Sequence, residues 1–175
     1  MIVLASASPR RRDLLTAAGL SFEIFAPDVD ETPLRGETPP AMVKRLSRVK
    51  AAAAAARFPG RLVIAADTTV ALNGRSLGKP RDAAEAKRML RALSGKTHFV
   101  HTGFCVGTRA RVVTTRVTFR ELSRADIDRY VASGECFDKA GAYAIQGVGA
   151  ALVERVSGSY TNVIGLPVAE VLALL

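Results

Sequence analysis

The sequence predicts an α/β fold built on a mixed β-sheet, and three observations carry that prediction. Apolar runs of strand type alternate with segments of helical spacing through the first half of the chain. Residues 97–121, rich in Val, Thr and Phe, then read as two antiparallel strands, and Gly, Pro and Asn-Gly signals separate the segments. At 175 residues, 49% hydrophobic and 23% charged, the chain has the balance of a globular protein with one well-buried core. We read residues 1–175 as one domain, with room for two lobes flanking a cleft.

Each element has its own justification. Residues 2–5 are a short apolar run, a first strand. Ser8 is a good helix cap and Pro9 a good first helical residue, so a helix should run to about Ala18 and stop at Gly19. Residues 22–25 read as a second strand, and the acidic, proline-rich residues 27–40 as a loop of the kind that carries sites. Thr38, Pro39 and Pro40 open a second helix in which Val43, Leu46, Val49 and Ala53 recur at helical spacing until Phe58-Pro59-Gly60. Residues 62–72 form a nearly unbroken apolar run closed by the hairpin signal Asn73-Gly74, the best candidate for a central strand. Asp82 caps a third helix through Leu93. Residues 97–107 and 112–121 form a hairpin, and Ser123 starts a helix to about Ser133. A glycine-rich turn region at 139–149, a strand at 150–156 and a last helix from Pro167 complete the chain.

The formal charge of +9 is compatible with nucleic acid, an anionic surface or a polyanionic small molecule. Arg10-Arg11-Arg12 is the only dense basic run and aromatics are 6%, a weak nucleic-acid footprint. The apolar N-terminal run is too short for a signal peptide or a membrane span. Cys105 and Cys136 lie far apart without metal-type spacing, which fits a reducing cytoplasmic setting.

Several segments carry chemistry. Ser6-Ala7-Ser8-Pro9-Arg10-Arg11 sits where a strand hands over to a helix, so free N–H groups, hydroxyls and guanidinium groups converge as an anion site, or else form a plain capped helix. Asp67 interrupts a buried strand, and a buried carboxylate must be paired, protonated or metal-bound. Asp28-Val29-Asp30-Glu31 offers hard oxygen ligands of the kind magnesium prefers, although such loops are commonly just solvated. Lys50 faces the apolar side of its helix, where it either reaches a phosphate or snorkels. Lys79 occupies a Gly-Lys-Pro turn, where it either aims its ammonium at the same anion or is an ordinary turn lysine, and Gln146 closes a run of small residues that is either a tight packing turn or a place where its amide can read a base edge. Thr69 should share the face of Asp67. His98 and His101 should face opposite sides of a strand, which disfavours histidine-based nucleophilic catalysis.

From end to end the chain resembles the Maf family. The matching stretches are Ser6 to Arg11, Asp30-Glu31, Lys50, Ala66-Asp67-Thr68, Gly78-Lys79-Pro80, Lys139 to Tyr143, Gly158-Ser159-Tyr160 and Val163 to Pro167. The resemblance implies an elongated mixed sheet flanked by helices, with two lobes around a central cleft, as in inosine triphosphatase-like proteins. It further implies a homodimer, a divalent metal (magnesium first, manganese as the alternative) and hydrolysis of a nucleoside triphosphate to the monophosphate and pyrophosphate. Asp67 then corresponds to the proton acceptor, with Glu31 and Asp67 as metal contacts. Glu31, Lys50 and Lys79 join Asp67 as catalytic candidates, and Ser8, Arg10, Arg11, Thr68 and Gln146 become substrate-binding candidates. Arg10 after Pro9, Thr68 after Asp67, and Gln146 after Ala144-Ile145 are similar to the branch acting on dTTP and UTP. A different expectation is a nucleotide-binding regulator of septum formation without turnover. A structural scaffold would leave Asp67 and the clustered phosphate-type motifs unexplained.

Overall fold

The computed structural model describes residues 1–175. Seven strands form one sheet: β1 (Ile2–Ala5), β2 (Phe22–Phe25), β3 (Leu62–Leu72), β4 (Arg75–Leu77), β5 (Thr97–Val106), β6 (Arg109–Phe119) and β7 (Val153–Ser157). Their order is β2-β1-β3-β5-β6-β7, with β4 hairpinned onto β3. β1 pairs in parallel with both β2 and β3, whereas the remaining pairs are antiparallel. The sheet is therefore mixed, as alternation followed by a hairpin predicts.

The helices are α1 (Pro9–Ala17), α2 (Pro39–Arg57), α3 (Ala83–Leu93), α4 (Arg124–Ala132), α5 (Tyr160–Ile164) and α6 (Val168–Leu172). Chain direction sets their faces. The path from β1 to β2 runs to one side of β1 and the path from β2 to β3 returns to the other, and both crossovers are parallel, so α1 and α2 cover opposite faces. Residue parity follows: Val3, Ala5, Val63 and Ala65 pack against Ala51 and Ala54 of α2, while Leu4, Ile64 and Ala66 pack with Leu15 of α1. A second, larger cluster lies toward the far end of the sheet. There Val70, Val100, Val117 and Phe119 meet Leu90 and Leu93 of α3 and Ile127 and Tyr130 of α4. These two clusters are the cores of two lobes.

Two close contacts shape the packing. Gly103 lies opposite Asp67 across the β3–β5 ladder, and a Cβ built on it would stand 2.1 Å from the Val43 carbonyl oxygen of α2. Glycine thus lets α2 lie directly on the sheet at the level of Asp67. In the larger cluster, the Nε2 of His98 shares a 2.8 Å hydrogen bond with the Tyr143 hydroxyl, and both rings stand edge-on to Phe119.

Local differences from the sequence reading have local causes. β6 begins at Arg109 rather than 112 because a two-residue turn with Gly107 at φ 59° lets pairing start at Val106–Arg109. The strand expected at 150–156 occupies Val153–Ser157, because the N–H groups of Val148 and Gly149 bond to Glu135 and Gly147–Leu152 coils as a 3-10 helix. Helix α5 was not anticipated: it spans five residues, too few for a periodic signal, and is capped by the Ser159 hydroxyl accepting from the Asn162 N–H. Ser8 holds the cap position of α1, but its side chain accepts no capping hydrogen bond. Thr38, Asp82 and Ser123 all cap as expected.

Two tests follow from these contacts. Gly103→Ala forces α2 off the sheet, and urea denaturation should register a loss of about 3 kcal/mol or more. Burial pushes His98 down from 6.5 to about 4. An unfolded histidine takes up its proton near 6.5, so between these values the unfolded chain binds more protons; His98 therefore supports the fold fully above about pH 6.5 and loses that support as pH falls toward 4. Comparing urea midpoints at pH 7 and 4.5 for the unaltered protein and His98→Leu should show a steeper acid loss in the former, by an amount on the order of 3 kcal/mol.

Candidate active site

The site lies where the edge of β3 is open. β1 pairs with β3 only as far as Ala5–Ala65, and β4 joins the same edge only from Val70–Leu77 onward. Residues 66–69 therefore have a strand neighbour on the β5 side alone. This gap coincides with the carboxyl end of β1, where the chain turns to α1 on one face while α2 approaches on the other, the switch point at which open α/β sheets bind ligands. A cleft of about 1030 Å³ opens there.

Parity places adjacent residues of β3 on opposite faces. Asp67 is on the α2 side, 8% exposed, with Oδ1 2.6 Å from the Nζ of Lys50. The same ammonium lies 2.7 Å from Oε1 of Glu31, whose side chain is 56% exposed. Lys50, a buried lysine, is thus drawn inward by two carboxylates. Leaving one member of such a pair without its counter-charge costs on the order of 3–5 kcal/mol. Asp30 behaves differently from its neighbour: its carboxylate accepts from the Thr32 N–H and shapes the loop. The loop is fastened by Arg45, which donates to both oxygens of Glu37 and to the Thr32 carbonyl.

Thr68 points to the α1 side. Its hydroxyl accepts from Arg11 at 3.0 Å, lies 2.9 Å from the Thr102 hydroxyl and 3.3 Å from the Gly165 carbonyl. Arg11 is half-buried and also donates to the Gly165 carbonyl at 2.8 Å and to the Ser6 hydroxyl at 3.1 Å. Desolvation lowers its proton affinity, and Asp67 partly restores it. Behind this arginine the Thr102 hydroxyl donates to the Asn162 carbonyl, and the Asn162 amide donates to the Val100 carbonyl and the Thr115 hydroxyl. A guanidinium held by three oxygens from three segments is an aimed charge.

Opposite stand cations without such anchoring. Arg10 and Lys139 both line the cleft. Burial depresses both, and in Lys139 the proximity of Arg10 depresses it further. Two like charges held together in a partly enclosed space favour an anion between them. Lys79 enters from the turn after β4, beside the Lys139 segment, because the Gly141 N–H donates to the Gly78 carbonyl at 3.0 Å. Gln146 also lines the cleft, exposed, on the segment that follows Tyr143.

All nine residues named from the sequence line this one cleft: Ser8, Arg10, Arg11, Glu31, Lys50, Asp67, Thr68, Lys79 and Gln146. Thr69 shares Asp67's face, with its hydroxyl 3.5 Å from the Val70 carbonyl. The two histidines do diverge, His98 into the larger core and His101 to the α2 side, where its Nδ1 lies 2.8 Å from the Thr114 hydroxyl. Sequence reading did not assign roles to Lys139, Thr102 or Asn162, and it gave the Ser6 hydroxyl to an anion where the structure gives it to Arg11. Lys139 had a signal, a basic residue opening a run of small ones; Thr102 and Asn162 had none, since only folding brings them behind Arg11.

The chain belongs to the family of Maf-like proteins, whose signature matches residues 1–175. Among curated relatives, a protein of Myxococcus xanthus is 56% identical over all of this chain and 91% of its own length. One of Anaeromyxobacter dehalogenans is 56% identical over 99% of this chain and 92% of its own, and one of Geobacter metallireducens is 52% identical over 97% and 92%. Each of the three is named dTTP/UTP pyrophosphatase. A Vibrio cholerae protein of solved structure overlaps 75% of this chain and 69% of its own at 12% identity with a TM-score of 0.38, a likeness too slight to argue from.

Arg11→Lys keeps the charge but cannot span Ser6, Thr68 and Gly165 at once. The replacement should cost about 2 kcal/mol in urea denaturation, since it leaves half-buried oxygens without donors.

Proposed function

We propose that this chain is a nucleoside triphosphate pyrophosphatase acting on dTTP and UTP and releasing the monophosphate and pyrophosphate. The observation that carries the proposal is that one cleft gathers a buried carboxylate, Asp67, several cations and an exposed amide, Gln146. The names of the relatives at 52–56% identity point the same way.

The arrangement supplies what such a hydrolysis needs. Arg10, Arg11, Lys79 and Lys139 hold the phosphate chain, with the N-terminal turn of α1 and Ser8 at its side. A water between Asp67 and the α-phosphorus gives its proton to the carboxylate as its oxygen bonds to phosphorus. The bond from that phosphorus to the α,β-bridging oxygen breaks, and pyrophosphate leaves with its charge met by the lysines. Lys50 pairs with Asp67 at 2.6 Å and orients it, and Arg11 is aimed before substrate arrives, which lowers the reorganisation needed in the transition state. Thr68 positions Arg11. Gln146 presents one donor and one acceptor, complementary to a uracil or thymine carbonyl and N3–H.

Glu31 and Asp67 are also a fitting pair for a divalent metal, magnesium or alternatively manganese, because their oxygens already converge on a single cationic point, the Lys50 ammonium. No group of three His, Cys, Asp or Glu side chains gathers elsewhere, so such an ion would complete its shell with phosphate oxygens and water, as magnesium commonly does. When bound, the metal would supply charge to the phosphate oxygens. We further propose that residues 1–175 act as one catalytic unit, in a homodimer and in the cytoplasm. No helix is long and apolar enough to cross a membrane, and Cys105 and Cys136 are free thiols.

The test is product analysis with magnesium and a panel of dTTP, UTP, CTP, GTP and 7-methyl-GTP. Turnover of dTTP and UTP to monophosphate and pyrophosphate is expected, with kcat falling at least 10³-fold in Asp67→Asn while nucleotide binding persists. Tight binding without turnover by the unaltered protein would overturn the proposal.

A further inference from the structure

The segment that carries Gln146 is bolted to α4 and the turn after it by two side chains that never reach the cleft. On one side of Gln146, the Tyr130 hydroxyl accepts from the Ala144 N–H at 3.0 Å. On the other, the Glu135 carboxylate accepts from two successive N–H groups, Val148 at 3.0 Å through Oε1 and Gly149 at 3.1 Å through Oε2. The fit is close. Gly147 adopts φ 65°, and a Cβ there would stand 2.5 Å from Oε1 of Glu135; a Cβ on Gly149 would meet the Ala144 carbonyl at 2.0 Å and the Tyr130 hydroxyl at 3.0 Å. The loop has closed down onto its supports as far as glycine allows. Gln146 itself stays exposed at the cleft, and its side chain makes no capping hydrogen bond to the 3-10 turn it precedes. Its position is therefore set by the backbone on either side, and that backbone is set by Glu135 and Tyr130.

We infer that Glu135 is a positioning residue for base selection: by holding the Val148 and Gly149 N–H groups it fixes where the Gln146 amide stands, and so sets how well the enzyme tells one base from another. This rests on the reading of Gln146 as the base-contacting group in the proposed function. Tyr130 is a poorer probe, because its ring is buried in the larger core cluster. Glu135 is only partly buried and lies on the far side of the loop from the cleft lining. Its replacement removes no hydrogen bond or ion pair of Asp67 or of the phosphate-binding cations, and its one influence on them is the favourable charge it presents to Lys139.

Discrimination by a polar contact depends on placing it within a fraction of an ångström, and a 1 Å error can cost about 100-fold. In Glu135→Ala the preference for UTP over CTP, measured as the ratio of kcat/KM values, should fall roughly tenfold. Glu135→Gln, which retains one carbonyl acceptor, should fall between. Ribose 5-triphosphate has no base to read, so its hydrolysis reports only what is lost through Lys139 or the fold; the UTP to CTP ratio, in which any such common loss cancels, isolates the positioning of Gln146. In a Gln146→Ala background, Glu135→Ala should remove no further discrimination. If Gln146→Ala lowers the UTP preference and Glu135→Ala, still folded by thermal unfolding, leaves it intact, the inference is wrong while the reading of Gln146 stands. Should Gln146→Ala itself leave the preference unchanged, the reading beneath the inference fails. Equal losses on UTP, CTP and ribose 5-triphosphate in Glu135→Ala would assign Glu135 to Lys139 and the fold alone.

Discussion

Everything at the site depends on four residues of β3 that have a strand on one side only. A closed edge would leave Asp67 and Thr68 facing two separate layers of packing, as alternation along a strand requires. Because β1 stops at Ala5 and β4 pairs with β3 only from Val70 onward, both faces open into the same space. One strand then delivers a carboxylate from below and a hydroxyl from above to a single cleft. The price of such a gap is exposed backbone, and it is met by the sheet's other side, where the ladder from Ile64 to Ala71 runs unbroken along β5.

Charge is divided across that gap in a definite way. On the α2 side one lysine serves two carboxylates, so the group carries negative charge in excess. On the α1 side and along the far wall, guanidinium and ammonium groups outnumber their partners. Arg11 is restrained by oxygens that are uncharged, which leaves its positive charge available. A polyanion entering the cleft therefore finds fixed positive charge at one wall and a poised carboxylate at the other. The overall excess of basic residues is put to use locally, without a continuous basic surface.

The fold class and most element boundaries were legible because they rest on local signals. Thr38, Asp82 and Ser123 announce helices through side chains that bond three residues ahead, and the apolar run at Leu62–Leu72 needs no partner to be seen as a strand. Asp67 was legible for a related reason: a carboxylate in an apolar strand demands an explanation. What escaped was tertiary in origin. The network of Thr102, Asn162 and Thr115 joins residues separated by up to 60 positions, and each is unremarkable alone. Likewise, the strand expected from residue 150 begins only at Val153 because Glu135 holds the N–H groups of Val148 and Gly149, just ahead of it, and the chain coils there into a 3-10 turn, a competition invisible in the local pattern.

The position of β3 between the two hydrophobic clusters has a further consequence. Ile64 and Ala66 belong to one cluster and Val70 to the other, so Asp67, Thr68 and Thr69 span the seam between two cores. Arg11 and Ser6 come with the first core, Lys79 and Gln146 with the second. Neither half of the molecule holds the whole site. Loss of either core dismantles the whole cleft, so folding and competence are gained and lost together.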